Sequence, residues 1–425
     1  MNGSPGGAPT KFFKSDSSYS KLLRVEFRLA RGRSLFSGAG VNVVLLGLTS
    51  LLTDFGSEMI MPILPLFIVS LGGAGIAVGL IAGIGDSLSS ILKVFSGYWS
   101  DMVGRRKPFV TLGYVSSATA KLFFPLSTHW LHLVVLRPIE RVGKGVRTAP
   151  RDALIAESIR TGFMGKGFGF HRAMDTAGAV LGSLSAFLLV WVWGLNIRTI
   201  LLAAALISFT AIIPLLWVRE TSPPKGKPQI SSLKISLKGV PVKLKLFIFA
   251  ATIFALAEFS CMFFILKVSV FLAGSGVEYV ATPILFYTFF NVVYAVFAFP
   301  SGILADRFGR LTMVVIGYLL FAVTCLGFSM PGSLPVYAML FVAYGLVYAL
   351  VEGNVRAYVS ELSPPGVKGT VLGAFHTSVG LAALPANILA GALWQLASPT
   401  VTFLYGAALS TLAAILAVKS AASKS

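Results

Sequence analysis

A short charged stretch between two long apolar runs, Gly97-Tyr98-Trp99-Ser100-Asp101-Met102-Val103-Gly104-Arg105-Arg106-Lys107, decides the fold of this chain. A second copy, Gly302 to Arg310, keeps the glycine, aspartate, glycine and arginine at a constant shift of 205 residues (97 to 302, 101 to 306, 104 to 309, 105 to 310). Glycine permits the backbone reversal that a short link between helices needs, while Asp and Arg stay at the water-facing helix ends and pair there. Two copies in register indicate a tandem duplication of one helical unit.

The composition is that of a polytopic membrane protein. Of 425 residues, 56% are hydrophobic and only 12% are charged, with a mean hydropathy of +0.83. An ordinary soluble domain carries roughly twice that charged fraction. The formal net charge of +19 is better explained by basic cytoplasmic loops beside anionic lipid than by nucleic acid. Cys261 and Cys325 lie in apolar runs without ligand spacing, so we expect inert core thiols, no metal site and no cofactor.

About twelve spans are long enough to cross a bilayer, which predicts an all-α protein of two pseudo-symmetric six-helix bundles. We expect a cytoplasmic N-terminal tail (1–38) with a basic amphipathic segment, a first bundle (39–218), a cytoplasmic linker (219–245) and a second bundle (246–425). The spans lie near 40–70, 75–98, 108–128, 131–155, 166–193, 198–218, 246–273, 280–303, 311–330, 335–360, 369–396 and 401–418.

The loops predict the orientation. The loops after the even-numbered spans carry many cations. The loops after the odd-numbered spans carry only one, Arg198. Both termini are therefore expected to be cytoplasmic, in a multi-pass protein of the plasma membrane. The cations of the even loops are Arg105, Arg106, Lys107, Arg160, Arg219, Lys225, Lys227, Lys234, Lys238, Arg307, Arg310 and Lys368.

Charged side chains inside the spans point to the functional site. Each costs roughly 2.5 to 3.5 kcal/mol at mid-bilayer on insertion scales, so it must face a cavity or a partner. Most are in the first half, and span four carries a basic stripe with a period of three to four residues. The candidates for substrate binding or proton coupling are Asp54, Glu58, Asp86, Arg137, Glu140, Arg141, Lys144, Asp175, Glu258, Asn291 and Glu352.

A structural interpretation competes with the functional one, because such charges also neutralise each other and hold helices together. We favour the structural role for Lys93, Arg151, Asp152 and Arg172, which we place towards the cytoplasmic end. His376 is either a proton relay or, with more weight, a packing residue. Tyr294, Tyr344 and Tyr348 either line the cleft or pack.

Arg141 is expected to couple substrate to protons through a counter-charge on another helix. The nearest candidates are Glu58 on span one and Asp175 on span five. Glu140 is adjacent in sequence but points about 100° away around the helix, so it is expected to be a poorer partner.

The duplicated loop resembles the motif Gly-x-Leu-Ala-Asp-Arg-x-Gly-Arg of the major facilitator superfamily. The second copy meets it fully, and the first departs at Trp99, Ser100 and Met102. The resemblance covers the whole chain and implies two halves around a central cleft with alternating access. We expect Asp101 and Asp306 to act in closing the cytoplasmic side rather than in binding. The gating set is Gly97, Asp101, Gly104, Arg105, Arg151, Gly302, Asp306, Gly309 and Arg310.

Two further stretches resemble motifs of the same family. Arg141 to Gly145 looks like Arg-x-x-Gln-Gly with Lys144 in place of glutamine, and the resemblance ties this arginine to proton coupling. Gly169, Gly178 and Gly182 match the glycine spacing of the antiporter motif, while Ser183 stands where its proline belongs.

These observations predict a secondary active transporter that moves a small organic solute by alternating access, coupled to protons. The surplus of cations in the first half favours an anionic or zwitterionic solute. A proton antiporter for lipophilic cations is the alternative within this class, and a membrane-embedded enzyme or a non-transporting sensor are alternatives of other classes. The expected partners are the solute, protons and the lipid bilayer, with no nucleic acid, and the chain is expected to be a monomer.

Overall fold

The computed structural model describes residues 40–159, 163–220, 240–364 and 368–422. The predicted tail and residues 221–239 of the predicted linker therefore lie outside the described residues. The all-α prediction is confirmed, and each predicted span corresponds to one helix. In the first half these are α1 (Val41–Ile60, resuming at Leu64–Ser70), α2 (Gly75–Val103), α3 (Lys107–Phe123, with a 3-10 turn at Phe124–Leu126), α4 (Trp130–Glu157), α5 (Met164–Trp191) and α6 (Ile197–Thr210, then Ile212–Trp217). In the second half they are α7 (Val242–Ala257, resuming at Met262–Phe271), α8 (Glu278–Phe308), α9 (Arg310–Ser329), α10 (Leu334–Leu362), α11 (Lys368–Leu396) and α12 (Pro399–Ala422).

The helix pairings of the first half recur in the second. In the first half α2 and α3 pack on α4, and α1 packs on α5 and α6. In the second half α8 and α9 pack on α10, and α7 packs on α11 and α12. The halves meet mainly along α2 with α11 and along α5 with α8. The duplication seen in the loop motif therefore extends to the whole six-helix unit.

Both duplicated loops begin with a glycine in a left-handed conformation. Gly104 follows α2 with φ of 67° and Gly309 follows α8 with φ of 92°. Other residues rarely adopt these angles, which explains the glycines of the motif.

One end of the interface between the halves is closed. Gly79 of α2 faces the backbone carbonyl of Asn387 on α11, and Gly75 faces Gly391 one turn further on. At the opposite end, beside the duplicated loops, a side chain at Gly302 would meet no atom within 4 Å. The cleft between the halves therefore opens towards the duplicated loops and is closed at the other end.

Eleven of the helices in the described residues are long and apolar enough to cross a membrane, and α4 is the exception because of its charges. These charges are enclosed by protein: Arg137, Glu140 and Arg147 are 3%, 1% and 3% exposed. Burying a charge is costly unless another group compensates it, so the groups that contact α4 lead to the site.

Candidate functional site

An ion-pair network joins α4 to α2 inside the first half. Arg137 donates to Glu140 at 2.8 Å, and Ser117 donates to the same carboxylate at 3.3 Å. The Arg141 guanidinium lies 3.0 Å from an Asp86 oxygen and 3.9 Å from Glu140. Asp86 is 38% exposed, so the network begins in the protein interior and ends at the cleft.

The expected partners of Arg141 were wrong. The structure pairs it with Asp86 and places Glu140 next, instead of Glu58 or Asp175. The reason is the close packing of α2 on α4, where a Cβ at Gly85 would lie 3.0 Å from the Arg141 Cγ. This close packing places Asp86, the residue after Gly85, beside the Arg141 guanidinium. The arginine side chain is long enough to approach Glu140 as well, although the two residues point in different directions around the helix.

Glu58 bonds across the interface between the halves. It accepts a hydrogen bond of 2.6 Å from the Tyr287 hydroxyl of α8. One helical turn further along α8, buried Asn291 donates to Ser183 of α5 at 3.5 Å. Two of the predicted candidates, Glu58 and Asn291, therefore lie where the halves touch.

A second cluster brings α1, α4 and α5 together. Asp54 interacts electrostatically with Asp175 and with Lys144. His171 lies 3.6 Å from Asp175 through its Nδ1 atom, and this histidine was not among the predicted candidates. One buried oxygen of Asp175 and the Nε2 atom of His171 have no hydrogen-bond partner among the described residues. The sequence signal for His171 was the Phe-His pair that recurs at Phe375-His376.

A third cluster links α5 to α8 and α10. Arg172 and the Tyr294 hydroxyl both donate to Glu352, the arginine at 3.3 Å, and Arg172 also donates to that hydroxyl. Arg356 adds a bond of 3.0 Å to the other Glu352 oxygen. Arg172 is 52% exposed, so this bridge between the halves lies in the open part of the cleft.

Glu258 occupies a break in α7. It ends the first segment of the helix with φ of −84° and ψ of 75°, and helix resumes at Met262. Ser260 donates its backbone N–H to Asn387 at 2.8 Å, and Tyr405 donates to the carbonyl of Leu256 at 2.8 Å. The polar groups freed by the break are thus bonded by α11 and α12, as a membrane interior requires.

Lys121 was missed in the sequence analysis. This side chain of α3 is 0% exposed and donates to Ser57 of α1 at 2.7 Å and to Ser208 of α6 at 3.0 Å. A lone lysine within an apolar span was the available signal.

The loop charges pair within each half. Asp306 lies 3.7 Å from Arg310, and Glu361 lies 3.7 Å from the same guanidinium. In the first loop the partner of Asp101 is Arg106 and not the motif's Arg105, which is exposed. Arg106 also lies 3.2 Å from Glu157. Arg151 of α4, also in the predicted gating set, donates to Asp152 at 2.9 Å and to Ser50 of α1 at 3.0 Å.

No group of three His, Cys, Asp or Glu side chains that could hold a metal ion occurs in the part of the chain that the structure describes. Cys261 and Cys325 are both buried free thiols.

Comparisons with known proteins agree with this architecture. The family model described as Major Facilitator Superfamily matches residues 46–287 and 280–422. An uncharacterised MFS-type transporter of Methanocaldococcus jannaschii is 45% identical over 376 residues, which are 88% of this chain and 94% of that protein. The multidrug resistance protein MdtH of Aeromonas hydrophila is 22% identical over 82% of this chain and 86% of its own length. The crystal structure of a mutant of the nucleoside transporter NupG aligns with a TM-score of 0.76 at 14% identity, covering 89% of this chain and 99% of that one.

Proposed function

The chain belongs to the major facilitator superfamily and is a membrane transporter, not an enzyme, and we propose that it is a secondary active transporter that moves a small organic solute by alternating access, coupled to protons. The observation that carries this proposal is the interface between the halves. It is closed at one end and open at the other, and charged side chains from both halves line it.

The contacts that cross the interface suit a rocking motion. Glu58 with Tyr287, and Arg172 with Glu352, join the halves through polar groups at the cleft. Polar bonds of this kind contribute only about 0.5 to 3 kcal/mol each once water can replace them. A solute that binds the two conformations with different affinity can therefore shift their balance.

We assign proton exchange to the carboxyl groups Asp54, Glu58 and Asp175. All three are partly buried, and Asp54 interacts electrostatically with Asp175 and Lys144, as Glu58 does with Lys144 and Arg141. A carboxyl group beside an arginine can bind and release a proton as helix movement changes their separation.

The test uses purified protein in liposomes that enclose a pH-sensitive dye. Adding the transported solute should move protons, and an imposed pH gradient should accumulate the solute. Solute exchange without any proton movement would overturn the coupling, and absence of both would overturn the transport mechanism itself.

A proton antiporter for lipophilic cations is the second candidate. Gly178 and Gly182 of α5 lie directly against the α1 backbone at Leu51 and Phe55, so the glycine spacing of the antiporter motif serves a close helix contact here. A distant relative, MdtH, is described as a multidrug resistance protein. Expression in efflux-deficient cells should leave ethidium retention unchanged under our first proposal and lower it under this one.

We further propose that the protein acts as a monomer in the plasma membrane with both termini in the cytoplasm. The cation-rich loops support this orientation. In this arrangement the open end of the cleft faces the cytoplasm, and the loop pairs Asp101–Arg106 and Asp306–Arg310 act as the gate on that side.

A further inference from the structure

A cavity between the halves contains two charged side chains that lack ion-pair partners among the described residues. It has a volume of about 250 Å³ and lies between α2 of the first half and α7, α10 and α11 of the second. Lys93 and Glu258 both line it, and neither forms an ion pair with any described residue. By contrast, Glu352 and Arg356 at the same cavity are paired with each other.

The backbone places Glu258 at this cavity. The break in α7 turns the residue out of the helix, and the hydrogen bond from Ser260 to Asn387 holds the broken segment against α11. The Tyr348 hydroxyl lies beside the carboxyl group. A charged group held at mid-membrane depth beside an open cavity is expected to have a functional partner.

Apart from Glu352, Arg356 and His376, the remaining walls are aromatic and apolar. Phe254 and Tyr318 stack with ring centroids 3.9 Å apart, and Phe375 and Val379 line the cavity from α11. Aromatic faces accept both apolar groups and an ammonium group. The volume is below the range of about 300 to 1,000 Å³ that is typical of drug-sized ligands, so the occupant is small.

We propose that this cavity binds an apolar zwitterionic amino acid, with its ammonium group at Glu258, its carboxylate at Lys93 and its side chain against Phe254 and Phe375. A solute with a single charge would leave one of the two charged residues without a partner. Because Lys93 belongs to the first half and Glu258 to the second, the bound solute connects the halves. This proposal rests on the proposed transport function and names its substrate class.

The first experiment measures binding to the purified protein by thermal shift and calorimetry. L-Leucine and L-phenylalanine are compared with 4-methylpentanoate and isoamylamine, which share the leucine side chain but carry one charge each. The two amino acids should raise the melting temperature and the single-charge analogues should not. Equal binding of either analogue, or no binding of both amino acids, would overturn the proposal.

Variants then test the two charges. Glu258→Gln and Lys93→Gln should each lower the affinity for L-leucine about tenfold or more, since each removes a charge-assisted hydrogen bond. Lys267→Met, on the same helix as Glu258 but away from the cavity, should bind normally. Unchanged affinity in both cavity variants would overturn the proposal, and having two variants guards against one that fails to fold.

Uptake into liposomes separates this inference from the proposed function. If L-leucine binds through Glu258 and Lys93 but no gradient drives its uptake, the site stands and the transport mechanism is wrong. If neither amino acid binds while another solute accumulates with proton movement, the transport mechanism stands and the site assignment is wrong.

Discussion

At the scale of single residues, burial and pairing divide the charges of α4 into two kinds. Arg137 and Glu140 are almost completely buried and paired with each other, whereas Arg141 reaches the cleft through Asp86. A buried pair contributes to the fold mainly because removing one member leaves the other without a partner. A pair that opens to water can instead change during transport.

The buried pair leads to a stability prediction. Arg137→Met should destabilise the protein by about 3 to 5 kcal/mol because it leaves the Glu140 carboxylate in the interior with its main partner gone. Adding Glu140→Gln should restore part of that loss. The measurement is thermal or denaturant unfolding in detergent, with Arg105→Met, at an exposed residue, as the control that should change stability by less than about 0.5 kcal/mol. An Arg137→Met protein as stable as the wild type would contradict the assignment.

Arg141 leads to a prediction about coupling. Arg141→Ala should abolish proton-driven accumulation of the solute while downhill movement persists, because the charge that faces Asp86 at the cleft is lost. Arg141→Lys should retain part of the activity, since it keeps the charge without the planar fork. Transport and binding are measured on the same preparations, with Lys419→Ala, an exposed residue of α12, as control. Normal accumulation by a folded Arg141→Ala protein would leave Arg141 with a structural role only.

At the scale of helices, close packing at glycines decides which end of the cleft is closed. Gly79 lies against the α11 backbone at the closed end, while space surrounds Gly302 of α8 at the open end. In alternating access, the closed end must open and the open end must close. Side chains added at the two glycines should therefore act in opposite directions.

This contrast predicts opposite effects of the same substitution. Gly79→Val should force the closed end apart, because its side chain would meet the Asn387 carbonyl. Gly302→Val should fit the present conformation and prevent closure of the open end. Spin labels at Ser70 and Val277, in a Cys261→Ser, Cys325→Ser protein, should move apart in the first variant and not in the second. Wild-type transport by Gly302→Val would show that the open end does not need to close around Gly302.

The duplicated loops predict an effect on rate. Asp306→Asn weakens the pair with Arg310, which at a water-facing helix end is worth about 0.3 to 1 kcal/mol. That size suits a bias on a conformational equilibrium, so transport should slow while solute affinity stays within about threefold. Asp101→Asn in the first loop should behave alike. A large loss of equilibrium binding with unchanged conformational populations would argue for a binding role instead.

At the scale of the whole molecule, the duplicated six-helix unit and the asymmetric distribution of charge have separate consequences. The duplication creates a cleft between two similar halves. The charges are concentrated in the first half, so the two walls of that cleft are not equivalent. Substrate recognition is therefore expected to use different chemistry on each wall.

The charge distribution in the loops also predicts the topology. Single cysteines at Ser18 and Ser231, which lie outside the described residues, should be protected from an impermeant thiol reagent in intact cells. A cysteine at Gly332 should react, whereas Gly73, which is expected on the same side, is buried against Ile68 and is not a suitable labelling position. A Cys261→Ser, Cys325→Ser protein provides the background, since both native thiols are buried. Labelling of position 231 from outside would reverse the orientation.

The helical membrane fold, the number of helices and their duplication were predictable from the sequence. Hydropathy over twenty or more residues and a loop motif repeated at one shift are properties of the chain alone, and bilayer thickness converts them into helices. Most charged residues of the cleft could also be identified, because a charge in an apolar span is conspicuous. Lys121 was overlooked although its signal was of the same kind, and His171 was overlooked although its Phe-His pair recurs in the second half.

Which charges meet could not be predicted from the sequence and is known from the three-dimensional structure. The pairing of Arg141 with Asp86, the bond from Tyr287 to Glu58 and the lack of an ion pair at Lys93 and Glu258 among the described residues all depend on how helices distant in sequence rotate and approach. Helix periodicity specifies which face of a helix a side chain occupies, but glycine contacts and a break in α7 specify what that face meets. Those contacts arise from packing between helices, and no single span encodes them.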